Sequence, residues 1–152
     1  MNILIFGGEG FLGRRLKNYL IEKEFNPKSA GTSYKNDIVL DITKLDLFKS
    51  LEKYKFDLAI NLVSLTNVEV CEKAKEACYL LNVIGARNIS NYCGSNNIYL
   101  INISTDMVYS SKKYSKENDY EPINEYGVTK LKAENEFSKI KSASLRLAFM
   151  GR

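Results

Sequence analysis

Residues 1–13 read MNILIFGGEGFLG, an apolar run that gives way to four glycines within seven positions. The run at residues 2–6 predicts a strand that is buried on both faces. Beyond the glycines, apolar residues recur at intervals of three and four, which predicts a helix. A strand, a glycine-rich turn and a helix in this order are typical of a dinucleotide-binding unit, because the turn is tight and the backbone comes close to a pyrophosphate.

The glycine turn supplies candidate ligands for phosphate. The pattern Gly7-x-x-Gly10-x-x-Gly13 directs the first N–H groups of the helix, at the positive end of its dipole, toward the phosphates. We therefore predict that Gly7, Gly10, Phe11, Leu12 and Gly13 bind the cofactor. Glycines alone also fit a tight turn without a ligand, and that alternative stays open.

The end of the second predicted strand bears on which dinucleotide binds. A site for NAD usually carries Asp or Glu about 20 residues past the glycines, where the carboxylate accepts a hydrogen bond from the ribose 2′-OH. Here residues 31–35 read GTSYK, without a carboxylate. Thr32, Ser33 and Lys35 suit a 2′-phosphate, which favours NADP(H) as the cofactor and leaves NAD(H) open.

The remainder of the chain alternates between short apolar segments and longer helical ones. Strands are predicted at residues 2–6, 28–32, 38–40, 57–62, 98–104 and 143–148, and helices at residues 11–24, 44–53, 68–94 and 124–139. This alternation predicts an α/β fold, a Rossmann-like doubly wound parallel sheet with helices on both faces, in one domain spanning residues 1–152. Residues 107–123 form a long irregular stretch, and such loops tend to be functional.

Composition excludes several classes of function. The net charge of +4 is spread along the chain and no stretch of 18 apolar residues occurs, so neither nucleic acid nor a membrane is expected as a partner. Histidine is absent, which excludes Ser-His-Asp catalysis and His-ligated metal sites, and no metal is predicted. Cys71, Cys78 and Cys93 form no CxxC pattern, which favours reduced thiols in a cytoplasmic protein.

Candidate catalytic residues follow the fifth predicted strand. Ser104 and Thr105 stand at its carboxyl end, where ligands of open α/β sheets bind, and Thr105 is favoured because neighbouring strand residues face opposite sides. Tyr126 and Lys130 lie four residues apart on a predicted helix and so project from one face. The sequence holds two other Tyr-x-x-x-Lys pairs, at residues 19 and 23 and at residues 109 and 113, but neither has this context.

The glycine spacing GGEGFLG and this hydroxyl, Tyr and Lys set resemble the cofactor loop and catalytic residues of the extended short-chain dehydrogenases/reductases. The segments NLVSLTNVEVCEKA, LINISTDMVYS, EYGVTKLKAENE and SLRLAFMGR are similar in particular to the dTDP-4-dehydrorhamnose reductase branch. The resemblance covers essentially all 152 residues. It implies NAD(P)H-dependent reduction of a nucleotide-linked 4-keto sugar, with the nucleotide sugar as substrate.

The resemblance also implies roles for individual residues. Thr105, Tyr126 and Lys130 would be catalytic, with Tyr126 as the proton donor. A phenol with a pKa near 10 is a slow donor at neutral pH, so we expect the Lys130 ammonium to lower the pKa of Tyr126. The implied cofactor contacts beyond the glycine turn are Asp41 and Ile42 at the adenine, Asn61, Leu62 and Val63 under the nicotinamide half, and Tyr126 and Lys130, the latter at the nicotinamide ribose.

Other functions stay open at this point. Family members carry a further C-terminal portion that closes over the sugar nucleotide, and this substrate lobe is expected to be absent from the 152 residues. A homodimer is left open as an assembly. An epimerase or dehydratase of the same superfamily is one alternative, because an acid such as Asp106 beside the hydroxyl is frequent in dehydratases. A non-catalytic NADP-binding regulatory module is another, since a regulatory subunit of a methionine adenosyltransferase resembles the same branch.

Overall fold

The computed structural model describes residues 1–110 and 115–148. Its strands are β1 (Asn2–Phe6), β2 (Asn26–Gly31), β3 (Ile38–Val39), β4 (Leu58–Asn61), β5 (Tyr99–Thr105) and β6 (Ser142–Leu147). All pair in parallel, in the order β3-β2-β1-β4-β5-β6. The predicted α/β fold with a Rossmann-like parallel sheet is confirmed.

Helices cover both faces of the sheet. The α-helices are α1 (Phe11–Glu22), α2 (Val68–Lys73), α3 (Lys75–Tyr79), α4 (Gly85–Ser95) and α5 (Glu125–Phe137), accompanied by 3₁₀-helices at Leu45–Leu51 and Asp106–Val108 and a π-helix at Leu80–Ile84. Across residues 1–110 and 115–148, no helix is long and apolar enough to cross a membrane.

Strand β1 divides its side chains between two apolar clusters. Ile3 and Ile5 pack on the face that α1 covers, whereas Leu4 and Phe6 belong to the larger cluster under α4 and α5. This alternation follows from the period of two in a strand. Because both faces of β1 are buried, the strand reads as a continuous apolar run in the sequence.

The long helix predicted at residues 68–94 is interrupted. Ala74 leaves the helical conformation, with φ −128° and ψ 62°, and separates α2 from α3. The break brings the α-carbons of Cys71 and Cys78 to 5.2 Å, and these residues form a disulfide. In a continuous helix seven residues would span about 10.5 Å, too far for that bond. The predictions of one helix and of only reduced thiols are therefore wrong, although Cys93 is free and buried.

Helix α1 lies very close to the turn that precedes it. A Cβ on Gly13 would come within 2.3 Å of the Gly7 carbonyl oxygen and 2.7 Å of the Gly8 backbone. Gly7 itself has a φ of +83°, in the region that favours glycine. By contrast, a Cβ on Gly10 would meet a single atom, the Gly7 carbonyl oxygen, at 3.2 Å. Gly13 thus serves packing, whereas Gly10 leaves space open.

This difference predicts unequal costs for adding a methyl group. Gly13→Ala should lower the free energy of unfolding by about 1 to 3 kcal/mol, since the new atom meets backbone that must shift. Gly10→Ala, at the helix N-cap, should cost less than about 1 kcal/mol. Urea unfolding of the two variants beside the unmodified chain checks this, and equal stabilities would contradict it.

Candidate active site

The glycine turn is set at the carboxyl end of the central strand. The Gly7 N–H donates to the Ala30 carbonyl at 2.7 Å, and the Gly10 N–H donates to the Gly7 carbonyl at 3.0 Å. Gly10 is the N-cap of α1 and contributes no side-chain cap. The first N–H groups of a helix have no partner within it, so this terminus can accept an anion.

An open groove of about 500 Å³ runs from this turn across the ends of the neighbouring strands. Its lining includes seven of the residues predicted to bind the cofactor: Gly7, Gly10, Thr32, Ser33, Asp41, Ile42 and Val63. The other predicted residues do not line it, namely Phe11, Leu12, Gly13, Lys35, Asn61, Leu62, Tyr126 and Lys130.

Asn61 and Leu62 instead shape the wall of the groove. The Asn61 side chain accepts from the Val63 N–H at 3.1 Å and donates to Asn102 on β5 at 3.0 Å. A Cβ on Gly7 would lie 3.2 Å from the Leu62 carbonyl carbon, so the two strand ends are in close contact. These residues therefore position Val63 beside the glycine turn.

Asn36 lines the groove and was not predicted from the sequence. Its side-chain amide donates to the Ser33 carbonyl at 2.9 Å, which fixes the orientation of the amide. Among buried side-chain atoms of the described residues, its Oδ1 is alone in having no hydrogen-bond partner. A buried acceptor without a partner is costly, and a donor group on a bound ligand would satisfy it. In sequence, an Asn in a polar turn gives no signal of this.

A carboxylate does lie near the end of β2, although residues 31–35 lack one. Asp37 accepts from Lys17 Nζ and from the Ser29 N–H, each at 2.6 Å. Burial raises the pKa of Asp37, but the hydrogen bonds from Lys17 and Ser29 outweigh burial and lower the pKa to about 2. Asp37 does not line the groove. Its charge ties β2 to α1 and is neutralised by Lys17.

Tyr126 and Thr105 come together at the end of β5. A Cβ on Gly127 would lie 2.2 Å from the Met107 carbonyl oxygen, so the start of α5 approaches the segment after β5 very closely. The Tyr126 phenol lies near the hydroxyls of Thr105 and Ser64, a residue of the loop after β4, and both hydroxyls act to lower its pKa. Ser64 was not predicted, although a hydroxyl just past a strand end is the same signal that identified Thr105.

The pKa of Tyr126 is raised, contrary to our expectation. Burial raises this pKa most, the Asp106 carboxylate adds to the increase, and the neighbouring hydroxyls of Ser64 and Thr105 act in the opposite direction. Lys130 is directed elsewhere, because its Nζ donates to the Ile103 carbonyl at 2.7 Å. Burial lowers the pKa of Lys130 to about 8, while the Glu134 carboxylate acts to raise it.

Ser104 faces away from Thr105, as predicted. Its hydroxyl donates to Glu134 on α5, whereas Thr105 donates to Asp106 at 3.1 Å and accepts from the Met107 N–H at 3.2 Å. The other two Tyr and Lys pairs lie apart from this site. Lys23 packs over the ring of Tyr19 within the α1 region, and the partner of Tyr109, Lys113, lies outside the described residues.

The polar stretch after β5 is anchored by a residue of β6. Tyr109 and Tyr120 form an isolated antiparallel bridge, and the Arg146 guanidinium donates to both hydroxyls, at 2.6 and 3.1 Å. It also donates to the Glu117 carbonyl at 2.7 Å. Residues 107–110 and 115–123, the part of this stretch that the structure describes, are therefore held against the sheet.

Comparison with known proteins places this geometry in a family. A family model described as the RmlD substrate binding domain matches residues 1–149. The chain belongs to the RmlD branch of the extended short-chain dehydrogenases/reductases. The RmlD match confirms the resemblance inferred from the glycine turn and the Tyr126 and Lys130 pair.

Individual RmlD relatives are similar over about half of their own length. The chain is 29% identical over 137 residues to a dTDP-4-dehydrorhamnose reductase of Aggregatibacter actinomycetemcomitans, covering 87% of this chain and 45% of that protein. It is 28% identical over 136 residues to the methionine adenosyltransferase 2 subunit beta of Xenopus laevis, covering 86% and 41%. A dTDP-4-dehydrorhamnose reductase of Bacillus anthracis, solved in complex with NADP, superposes with a TM-score of 0.84 at 26% identity, covering 95% and 52%.

The groove of this RmlD-family chain fits a nicotinamide dinucleotide. The space beside Gly10, the open terminus of α1 and the unpartnered Asn36 oxygen suit phosphates and a donor group of such a ligand. Thr105 and Tyr126 lie at the same carboxyl edge of the sheet, both largely buried, and the Tyr126 phenol is a group that can donate a proton there.

Proposed function

We propose that this chain binds NAD(P)H and is the cofactor-binding part of a reductase that acts on a nucleotide-activated 4-keto sugar. The observation that carries the proposal is that the groove and the Thr105 and Tyr126 pair lie at the same carboxyl edge of one parallel sheet. The names of the RmlD relatives support a sugar nucleotide as substrate. A homodimer stays a prediction.

The side chains at this edge divide the work of ketone reduction. Tyr126, whose raised pKa keeps the phenol protonated at neutral pH, donates a proton to the substrate carbonyl oxygen. The Thr105 hydroxyl turns from Asp106 to donate its hydrogen bond to the same oxygen and keeps that oxygen within reach of the phenol. When bound, the nicotinamide supplies the hydride. Lys130 binds the nicotinamide ribose through its ammonium.

The contact between Thr105 and Asp106 supports a second candidate. Because the Thr105 hydroxyl donates to Asp106, a carboxylate lies beside the reacting position, as a dehydratase or epimerase of the same superfamily would use. The similarity to a methionine adenosyltransferase subunit supports a non-catalytic NADP-binding module instead. Turnover of NAD(P)H with a panel of nucleotide sugars distinguishes these functions, since only the reductase consumes reduced cofactor stoichiometrically.

The proposed binding mode predicts the effect of filling the space beside Gly10. Gly10→Val places a side chain in the groove where the pyrophosphate would lie, so the Kd for NADPH should rise by about tenfold or more, roughly 1.4 kcal/mol. Titration of NADPH fluorescence measures this, and thermal unfolding of the variant serves as the control for folding. Unchanged affinity in a folded variant would contradict the proposal.

We further propose that NADPH binds more tightly than NADH, through Thr32, Ser33 and Lys35. Lys35→Ala should then weaken NADPH binding at low salt and leave NADH binding nearly unchanged, because the lost charge faces only the 2′-phosphate. Lys28→Ala removes the same charge at a site away from the groove, over the ring of Tyr54, and is the matched control. Equal affinities for NADPH and NADH in the unmodified chain would refute the preference.

Tyr126 and Lys130 are predicted to act as a unit in the enzyme that contains this chain. Tyr126→Phe keeps the ring but removes the proton donor, so turnover should fall by about 10² to 10⁴ with cofactor affinity nearly intact. Lys130→Ala should impair both turnover and affinity, and the two effects should not add. Steady-state kinetics of the two single variants and the double variant check this. Undiminished activity of Tyr126→Phe would favour the regulatory function.

A further inference from the structure

A buried ion pair joins α5 to β6 behind the candidate active site. Arg146 donates from Nη2 to one oxygen of Glu134 at 2.6 Å and from Nε to both oxygens at 3.0 and 3.2 Å. The hydroxyl of Ser104, on β5, donates to the same carboxylate. The Glu134 side chain is 7% exposed, so this carboxylate is fixed from two strands and kept away from water.

Glu134 stands one helical turn beyond Lys130. Lys130 is 3% exposed, and a buried ammonium is costly unless an opposite charge lies close. Of the charged groups around it, the Glu134 carboxylate acts to keep Lys130 protonated, against the effect of burial. Three other groups lie around Lys130. The Ile103 carbonyl of β5 accepts from its ammonium, and Tyr126 lies one turn earlier on α5. Arg146 of β6 lies behind Glu134.

We propose that Glu134 is a positioning residue, which Arg146 and Ser104 fix so that Lys130 remains an oriented ammonium for the nicotinamide ribose. The inference rests on the proposed function, in which Lys130 contacts that ribose. Arg146 shares the charge of Glu134, so it limits how much of that charge acts on Lys130. Removing Glu134 or Arg146 should therefore affect Lys130 in opposite directions.

The test is the pH dependence of NADPH affinity, measured by fluorescence titration of the complete chain. In the unmodified chain, affinity should weaken as the pH rises through the pKa of Lys130, near 8, because the ammonium loses its charge. Glu134→Gln keeps the shape and an acceptor oxygen of the side chain but removes its charge. The midpoint, which is the pH at which half of the change in NADPH affinity has occurred, should therefore move down by about one pH unit or more. Arg146→Gln should move this midpoint up, since the Glu134 carboxylate then loses the cation that competes with Lys130 for its charge.

Two control variants test whether the shift in the midpoint comes from the charge of Glu134 acting on Lys130. Glu136 lies on the same helix, its side chain is 11% exposed, and it forms ion pairs with Arg87 and Lys139. Glu136→Gln therefore controls for the loss of an ion-paired carboxylate from this helix. Its midpoint should stay that of the unmodified chain. Lys130→Met should abolish the pH dependence, which establishes that Lys130 is the titrating group. A pH dependence that persists in Lys130→Met overturns the inference.

The remaining outcomes separate this inference from the proposed function. A merely structural role would weaken binding at every pH in both Glu134→Gln and Arg146→Gln without moving the midpoint, and that result overturns the inference alone. Failure of the unmodified chain to bind NADPH overturns the proposed function and the inference with it. If Glu134→Gln does not fold, the upward shift in Arg146→Gln decides, and its absence overturns the inference.

Discussion

The architecture depends on two places where backbone meets backbone without an intervening side chain. At the first, the α-carbon of Gly13 lies against the turn that ends β1, which sets the start of α1 over the carboxyl end of the sheet. At the second, Gly127 lies against the Met107 carbonyl and sets the start of α5 beside Thr105. Both contacts exclude even a methyl group. Together they fix the two helix termini that define the candidate site, one beside the groove and one that carries Tyr126.

Much of the fold could be predicted because its strands are buried on both faces. The apolar run at residues 2–6 and the glycines after it predict the bounds of β1 and α1 to within two residues. The parallel sheet follows from the alternation of strands and helices. The interruption at Ala74 could not be predicted, since helix propensity is a local property and the Cys71 and Cys78 pairing depends on tertiary contacts.

The candidate site was predictable only in part, because some of its residues are brought in by tertiary contacts rather than by local pattern. Thr105, Tyr126 and Lys130 follow from strand ends and helical spacing. Ser64 and Asn36 enter through loops whose course depends on the packed structure, so local patterns do not single them out. The pKa of Tyr126 was predicted in the wrong direction because residue types suggested the Lys130 ammonium as its neighbour. In the structure, burial and Asp106 dominate.

The strand order has a consequence for how the chain is made. Of the six strands, β1 is made before the others, yet it occupies the middle of the sheet, between β2 and β4. Its pairing with β4 joins residues such as Ile3 and Leu58, so one edge of the most apolar strand stays without its partner until residue 61 has been synthesised. Exposed apolar edges of this kind invite aggregation. Until β4 is available, this edge of β1 is therefore the apolar surface of the growing chain that is most prone to pair wrongly.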